Sequence, residues 1–473
     1  MAATPKRSNG NRKRPASAPR SNSVERGQRA PSPRRSATRR PADSSTKGAP
    51  PSRGKTRAAG SPPTASREAA IARPTTEGPG TRGPETRGSA TRAKLPKAAL
   101  GPQELLGLYR PDLAQELADS DSPPYRYRQV YEHLAHHPGS AFADATALPG
   151  DLRSRLETRG ASVLRETARR SSEDGTTTLL LAAPDGACIE TVVMRYRQRV
   201  TACISTQVGC AVGCVFCATG GMGLRRNLDA PEIVDQVRAA SALLRDEGRT
   251  LSNVVYMGMG EPLLNLQAVL TSIRILTDPA GMDMAHRSIS VSTVGIPAGI
   301  RRLAEEEPQV NLAISLHAAD DRLRARLIPP RFRHSLAEIL NAAWGHFELT
   351  HRKLLVEYVL LGGINDSPED ARRLAALLKG HVVAVNLLVW NRVRASSPAK
   401  PSAGETRPAA ASADRTRSDD APGALRAPTP QAIAAFRSVL TSARLEAVVR
   451  QSRGGRIDAA CGQLAGRRGA YSD

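Results

Sequence analysis

The chain has 473 residues, a formal net charge of +23 and a sequence pI near 10.6. That length allows two or three domains, and the positive excess fits an anionic partner, most simply nucleic acid. No run of about 18 apolar residues occurs, which excludes a helical membrane span; six cysteines without an apolar signal segment read as a reducing, cytoplasmic chain rather than a disulfide framework.

The charge is uneven. Residues 1–100 carry 23 Lys/Arg against 5 Asp/Glu, so +18 of the +23 sits there. Residues 1–97 are rich in Ala, Pro, Ser, Arg and Gly and have no periodic apolar face, so they cannot bury enough surface to offset chain entropy. A disordered basic tail is expected, either a plain solvated extension or one with loose, salt-sensitive attraction to RNA. The Arg/Ser/Ala bias also resembles an organellar transit peptide, but the proline density opposes the amphipathic helix such peptides form.

Helical apolar spacing begins beyond Gly101. It predicts helices at 103–109, 125–136 and 151–158, within a small accessory domain at 98–160. That domain is either a structural cap or an RNA-contacting module; Arg126, Arg128 and His133 decorate its second helix. Strand-like runs at 176–183 and 189–196, joined by the turn signal Pro184-Asp185-Gly186, form a strand extension at 161–199.

From Val200 strands alternate with helices. Strands are predicted at 202–206, 253–257, 287–292, 310–316, 354–360 and 382–389, and helices at 230–247, 266–277, 297–306, 335–349 and 368–379. This alternation argues for an α/β fold with a parallel sheet, a partial six-fold (βα) barrel spanning 200–466. Chemistry in such a barrel gathers at the C-terminal ends of the strands. Residues 394–428 are an Ala/Pro/Ser/Arg-rich insert expected to be disordered, a helix follows at 430–443, and 467–473 form a short tail.

Four of the six cysteines fall between Cys203 and Cys217, three of them as the CxxxCxxC run Cys210, Cys214 and Cys217. Gly209 and Gly213 permit the tight turns that let such thiolates converge. Three ligands are one short of a closed zinc site or a fully ligated cluster. A 4Fe–4S cluster with one open iron meets that count, and Phe216 fits the pattern of radical enzymes that use S-adenosylmethionine. A zinc knuckle completed by Cys188, Cys203 or a histidine is the alternative. Other motifs lie at successive strand ends: Gly258 to Pro262, Ser292-Thr-Val-Gly295, Ser315-Leu-His-Ala318 and Trp390-Asn391. Singly, each reads as a turn, a cap or a structural histidine. Together they favour a bound polar ligand.

The runs Cys203 to Gly220 and Arg226-Asn-Leu228 resemble the RlmN/Cfr family of radical-SAM RNA adenine methyltransferases. So do Met257 to Leu263, Ser290-Val-Ser-Thr293, Ser315 to Ala318 and Ile457-Asp-Ala-Ala-Cys-Gly-Gln-Leu464. The similarity covers about Leu105 to Gly466 except the insert. It implies a cluster on Cys210, Cys214 and Cys217, and two S-adenosylmethionine molecules per turnover. It also implies cofactor contacts from Gly260, Glu261, Ser292, Ser315, Leu316, His317 and Asn391.

In the chemistry so implied, Cys461 is methylated and loses a hydrogen atom to a 5′-deoxyadenosyl radical. The methylene carbon adds to adenine, whose electron-poor C2 will not attack a sulfonium methyl group directly. Glu190 matches the proton acceptor, although without the resemblance it reads as a surface strand residue. Cys203 resolves the adduct by forming a transient disulfide with Cys461. Cys188 matches no functional position and reads as structural. The implied substrate is C2 of an adenosine in 23S rRNA, and of the adenosine beside the anticodon in tRNA. An external flavodoxin- or ferredoxin-like one-electron reductant, a monomer and a cytoplasmic location complete the expectation. Two alternatives remain: a C8-specific relative with the same cysteines, and a zinc-stabilised RNA-binding protein without catalysis.

Overall fold

The computed structural model describes residues 100–329, 332, 334–392, 425–450 and 453–466. The expected tail (1–97), the insert up to residue 424 and the terminal residues 467–473 lie outside the described residues.

Twelve strands are present among the described residues: β1 (Arg165–Ser171), β2 (Thr176–Ala182), β3 (Cys188–Arg195), β4 (Val200–Cys203), β5 (Gln207–Gly209), β6 (Leu224–Asn227), β7 (Asn253–Tyr256), β8 (Ile289–Thr293), β9 (Asn311–Ser315), β10 (Leu354–Leu360), β11 (Val383–Val389) and β12 (Glu446–Arg450). Ten of them make one mixed sheet in the order β1-β2-β3-β4-β7-β8-β9-β10-β11-β12, while β5 and β6 pair as a separate ribbon. The pairings from β1 to β4 are antiparallel. All six from β4 to β12 are parallel. Parallel neighbours need crossover connections, and a helix lies between each successive pair of them. β1 and β12 are the two edges, so the sheet is open.

The crossover helices follow from their residues. Leu266–Leu276 buries Leu266, Val269, Leu270, Ile273 and Leu276, the three- and four-residue spacing of one helical face. Three helices begin with capping boxes, at Asp229 with Glu232, Ser335 with Glu338, and Ser367 with Asp370. The Ser335 and Ser367 hydroxyls each accept an orphan N–H of the opening turn, while at Asp229 the Glu232 carboxylate accepts from the Asp229 N–H (2.9 Å). The N-terminal helices Pro102–Tyr109, Pro111–Asp119, Pro124–His136 and Gly150–Arg159 pack into the same hydrophobic core as the sheet. Buried polar bonds fix that junction: Tyr109 donates to Asp235 (2.9 Å), Ser162 donates to the other oxygen of the same carboxylate (2.7 Å), and Arg238 donates to Leu134 O (2.8 Å).

The sequence-based reading did not anticipate β1, the β5–β6 ribbon, the helices Pro111–Asp119 and Asp321–Leu327, or β12. β12 extends the parallel series to seven strands. Alternate residues of these strands face the interior of the curved sheet, and several are polar: Cys203, Ser290, Ser292, Asn311, Ser315, Glu357 and Asn386. A sheet interior lined this way is built to hold a polar guest rather than to be filled by side chains.

Candidate active site

Cys210, Cys214 and Cys217 lie on the loop between β5 and the short helix Ala218–Met222. Cys217 N–H donates to Cys214 O (3.1 Å), and Val215 N–H donates to Leu327 O (3.0 Å). The Trp390 indole N–H donates to Phe216 O (3.1 Å), tying the loop to the end of β11. All three thiols line one cavity of about 180 Å³. Burial pushes the Cys210 thiol up to about 12 and that of Cys214 well above its ordinary value, with the neighbouring thiols adding to both. Buried thiols of this kind become thiolates when a cation replaces their protons, which is the chemistry of a metal-ligand set. Among the described residues no three Cys, His, Asp or Glu side chains converge on one ion-sized point. In a cluster each thiolate takes a separate iron, so three thiols spaced around a shared cavity fit a cluster better than a single zinc ion.

Gly260, Glu261, Ser292, Ser315 and His317 line this same cavity. Gly260 sits at φ +103, and a Cβ there would meet the Gln207 backbone N at 2.8 Å, so only glycine allows this approach. Glu261 is 3% exposed; its two oxygens accept from Leu263 N–H (3.0 Å) and Val294 N–H (2.9 Å), bracing the loops that follow β7 and β8. The Ser292 and Ser315 hydroxyls meet at 3.2 Å. His317 adopts the left-handed conformation at φ +60, held by Asn365 Nδ2 donating to its carbonyl (2.8 Å). Its Nδ1 accepts from Val359 N–H (3.1 Å), which leaves the ring proton on Nε2. Burial, reinforced by Arg324, lowers His317 to about 3, so the ring is neutral near neutral pH. Leu316 is fully buried in the hydrophobic core and lines neither cavity. Asn391 lines the adjoining larger cavity instead.

That larger cavity, about 380 Å³, contains Cys203 from β4 and Cys461 from the C-terminal segment. The two thiols lie within electrostatic reach of one another, and all six cysteines are free. Cys461 borders both cavities, as does Cys217. The segment carrying Cys461 is fastened at several points. Ala218 N–H donates to Gly462 O (2.7 Å), Thr219 Oγ1 to Leu464 O (2.6 Å), and Gln463 Nε2 to Arg392 O (2.9 Å).

Glu190 lines neither cavity. It is 5% exposed on β3, where Oε2 accepts from Ala465 N–H (2.7 Å) and Gly466 N–H (3.2 Å), so it clasps the end of the Cys461 segment. Cys188 is buried in a small satellite cluster with Leu180 and Ala182, as its structural reading expected.

Sequence reasoning missed two groups. Glu357 and Asn386 line the larger cavity; their signal was a lone charge and a lone amide within otherwise apolar strands. Also in the lining of the larger cavity, Tyr196 carries the guanidinium groups of Arg199 (4.6 Å) and Arg453 (4.4 Å) near its ring, and Arg450 lines the same space. Such a cationic, aromatic wall suits contact with a nucleic-acid strand.

No helix among the described residues is long and apolar enough to cross a membrane. Residues 204–375 match the family model described as the radical SAM superfamily. A relative from Symbiobacterium thermophilum, named a probable dual-specificity RNA methyltransferase RlmN, is 40% identical over 78% of this chain and 93% of its own length. The dual-specificity RNA methyltransferase RlmN of Anaeromyxobacter dehalogenans is also 40% identical, over 77% and 92% respectively. The crystal structure of a radical SAM methyltransferase from Sphaerobacter thermophilus superposes with a TM-score of 0.68 at 39% identity, covering 78% of this chain and 98% of that one. With the cysteine loop, the open parallel sheet and this extent of similarity in agreement, the chain belongs to the RlmN family of dual-specificity radical-SAM RNA methyltransferases.

Proposed function

We propose that this enzyme methylates C2 of an adenosine in 23S rRNA and of the adenosine beside the anticodon in tRNA, with Cys461 as the methyl carrier and Cys203 as the resolving thiol. The observation that carries the reading is the shared cavity: Cys203 and Cys461 face one space, and Cys461 also borders the space lined by Cys210, Cys214 and Cys217. When bound, the 4Fe–4S cluster and S-adenosylmethionine supply a hydrogen-abstracting radical at that junction. Cys210, Cys214 and Cys217 would hold the cluster. Gly260, Glu261, Ser292, Ser315 and His317 would line the cofactor's cavity, with His317 offering Nε2–H and Asn391 contributing from the neighbouring wall; Leu316, whose N–H donates to Glu357 O and whose carbonyl accepts from Arg324, would hold Ser315 and His317 in place.

The chain's own work is then positional and nucleophilic. Cys461 presents its one-carbon unit to the base. Cys203, as its thiolate, attacks the Cys461 sulfur; the disulfide forms as the carbon–sulfur bond to the base adduct breaks, the electron pair passes to the former methylene carbon, and that carbon takes up a proton to become the methyl group. A proton must leave the ring carbon, and Glu190 is the acceptor the resemblance implies. To reach a base in the cavity it would first have to release the Ala465 and Gly466 amides, so proton transfer and release of the carrier segment are linked in this reading. An external one-electron reductant and a single cytoplasmic chain as the working unit belong to the same proposal.

Replacing Cys203 by Ala tests it. The variant should add to RNA and stall, leaving a covalent protein–RNA species on a denaturing gel that is lost in the Cys203/Cys461 double variant. Free methylated RNA from Cys203→Ala at the wild-type rate would return Cys203 to a structural role.

A further inference from the structure

The interior of the sheet holds a buried polar pair that the chemistry above does not use. Register places Ser315 of β9, Glu357 of β10 and Asn386 of β11 side by side in one row. Glu357 is 6% exposed and Asn386 9% exposed, and both line the larger cavity with Cys203 and Cys461. Asn386 Nδ2 donates to Glu357 Oε1 at 2.7 Å. That bond fixes both side chains and commits one oxygen and one amide nitrogen. It leaves Glu357 Oε2 and Asn386 Oδ1, for which no hydrogen bond is seen among the described residues. Neither atom is sealed away without a partner as some other buried atoms are. Both are therefore open to the cavity. Glu357, Asn386, Cys203 and Cys461 line the same cavity, the one the proposed function assigns to the target base.

Glu357 Oε2 and Asn386 Oδ1 belong to hydrogen-bonded neighbours; burial raises the Glu357 carboxyl, while the Asn386 bond and the Arg450 guanidinium of the same cavity hold it toward the ionised form, in which both oxygens are acceptors that repel a carbonyl oxygen placed against them. Their complement is a group with two N–H donors on one nitrogen. We infer that Glu357 and Asn386 read the exocyclic amino group of the target adenine, selecting adenine over 6-oxo purines and setting which ring carbon faces Cys461. The inference rests on the reading that the substrate base is adenine. It names two specificity residues in the same row as the cofactor-side Ser315, with Glu357 bordering the smaller cavity as well as the larger. The cavity volume of about 380 Å³ falls within the range of sites that enclose a small ligand.

The test is binding of the full-length protein to tRNA stem-loops differing in one nucleotide: adenosine, purine riboside (no 6-substituent) or inosine (6-oxo) at the target position. Wild type should prefer adenosine over purine riboside by about ten- to a hundredfold and disfavour inosine further. Glu357→Gln is nearly isosteric and keeps an oxygen for Asn386, but turns an N–H toward the cavity. It should lose most of the adenosine preference and gain affinity for inosine. Asn386→Ala should lose preference without that gain. A merely structural role would lower affinity for all three RNAs equally.

Equal wild-type affinity for adenosine and purine riboside, or an unchanged ratio in Glu357→Gln, overturns the inference. Nucleoside analysis after turnover on the adenosine stem-loop separates the two ideas. C2 methylation without discrimination sinks only the amino-group reader, whereas the absence of any adenine methylation sinks the proposed function.

Discussion

Replacing Glu190 by Ala should loosen the Cys461 segment while leaving the barrel folded. The Glu190 carboxylate accepts from Ala465 N–H at 2.7 Å and from Gly466 N–H at 3.2 Å, the first bond being short and the second long. A hydrogen bond to a charged group contributes about 1.5–3 kcal/mol. The Thr219 and Ala218 bonds to the segment and the buried Leu464 side chain remain in the variant. Local opening of the segment should therefore become easier by about 2–3 kcal/mol, and exchange of its amide hydrogens about 30- to 160-fold faster. Hydrogen–deuterium exchange with peptide-level readout over 453–466 measures this directly, with the peptides of β7 to β10 as internal controls. Glu190→Gln keeps one acceptor oxygen and should fall between wild type and Ala, with methylation declining in step with segment opening. Exchange over 453–466 within twofold of wild type in Glu190→Ala would refute the clasp. Complete loss of methylation in Glu190→Gln with unaltered exchange would favour the pure proton acceptor that the family resemblance implies.

Three further outcomes are expected. Ala at Cys210, Cys214 or Cys217 should remove the iron and sulfide from reconstituted protein, because each is one of only three ligands; full iron content in any of them would overturn the ligand set. Gly258→Ala would place a Cβ 2.6 Å from Ile204 O and 2.7 Å from its carbonyl carbon, backbone that cannot swing aside; it should cost about 1–3 kcal/mol or more in urea unfolding, and no loss would mean that the loop reseats. His346 is 1% exposed, and burial, with a smaller effect of Arg352, lowers it from 6.5 to about 4, while its Nε2 has no hydrogen-bond partner among the described residues. The unfolded chain binds the proton first, so the stability due to neutral His346 is complete above pH 6.5 and is lost as the pH falls toward 4. The loss is at most about 3 kcal/mol. His346→Leu should flatten the stability–pH curve across that window, and an unchanged slope would place the titration elsewhere.

The cysteine run and the alternation of strands and helices were legible because both are local patterns. Spacing alone marks the three thiols, and apolar periodicity marks each βα unit. Strand ends likewise flagged Gly260, Glu261, Ser292, Ser315 and His317 before any was placed in space. β12 escaped because Glu446-Ala-Val-Val-Arg450 is short and half-exposed; only pairing with β11 makes it a strand. Glu357 escaped for the opposite reason. The run Leu354–Leu360 reads as a buried strand, and only the curvature of the sheet makes the face that carries Leu355, Glu357 and Val359 a cavity wall rather than packed core. Glu190 depends on amides 275 and 276 residues away in sequence, a contact no local pattern encodes. Leu316 and Asn391 were named with their neighbours by motif, yet alternation along a strand directs adjacent side chains to different places.

The most direct test of the account is nucleoside mass spectrometry. The reconstituted enzyme is incubated anaerobically with S-adenosylmethionine, a one-electron reductant and unmodified 23S rRNA and tRNA. The account predicts 2-methyladenosine in both RNAs, dependent on Cys461. 8-Methyladenosine, or no methylated adenosine from a protein that retains its iron and binds the RNA, would contradict it.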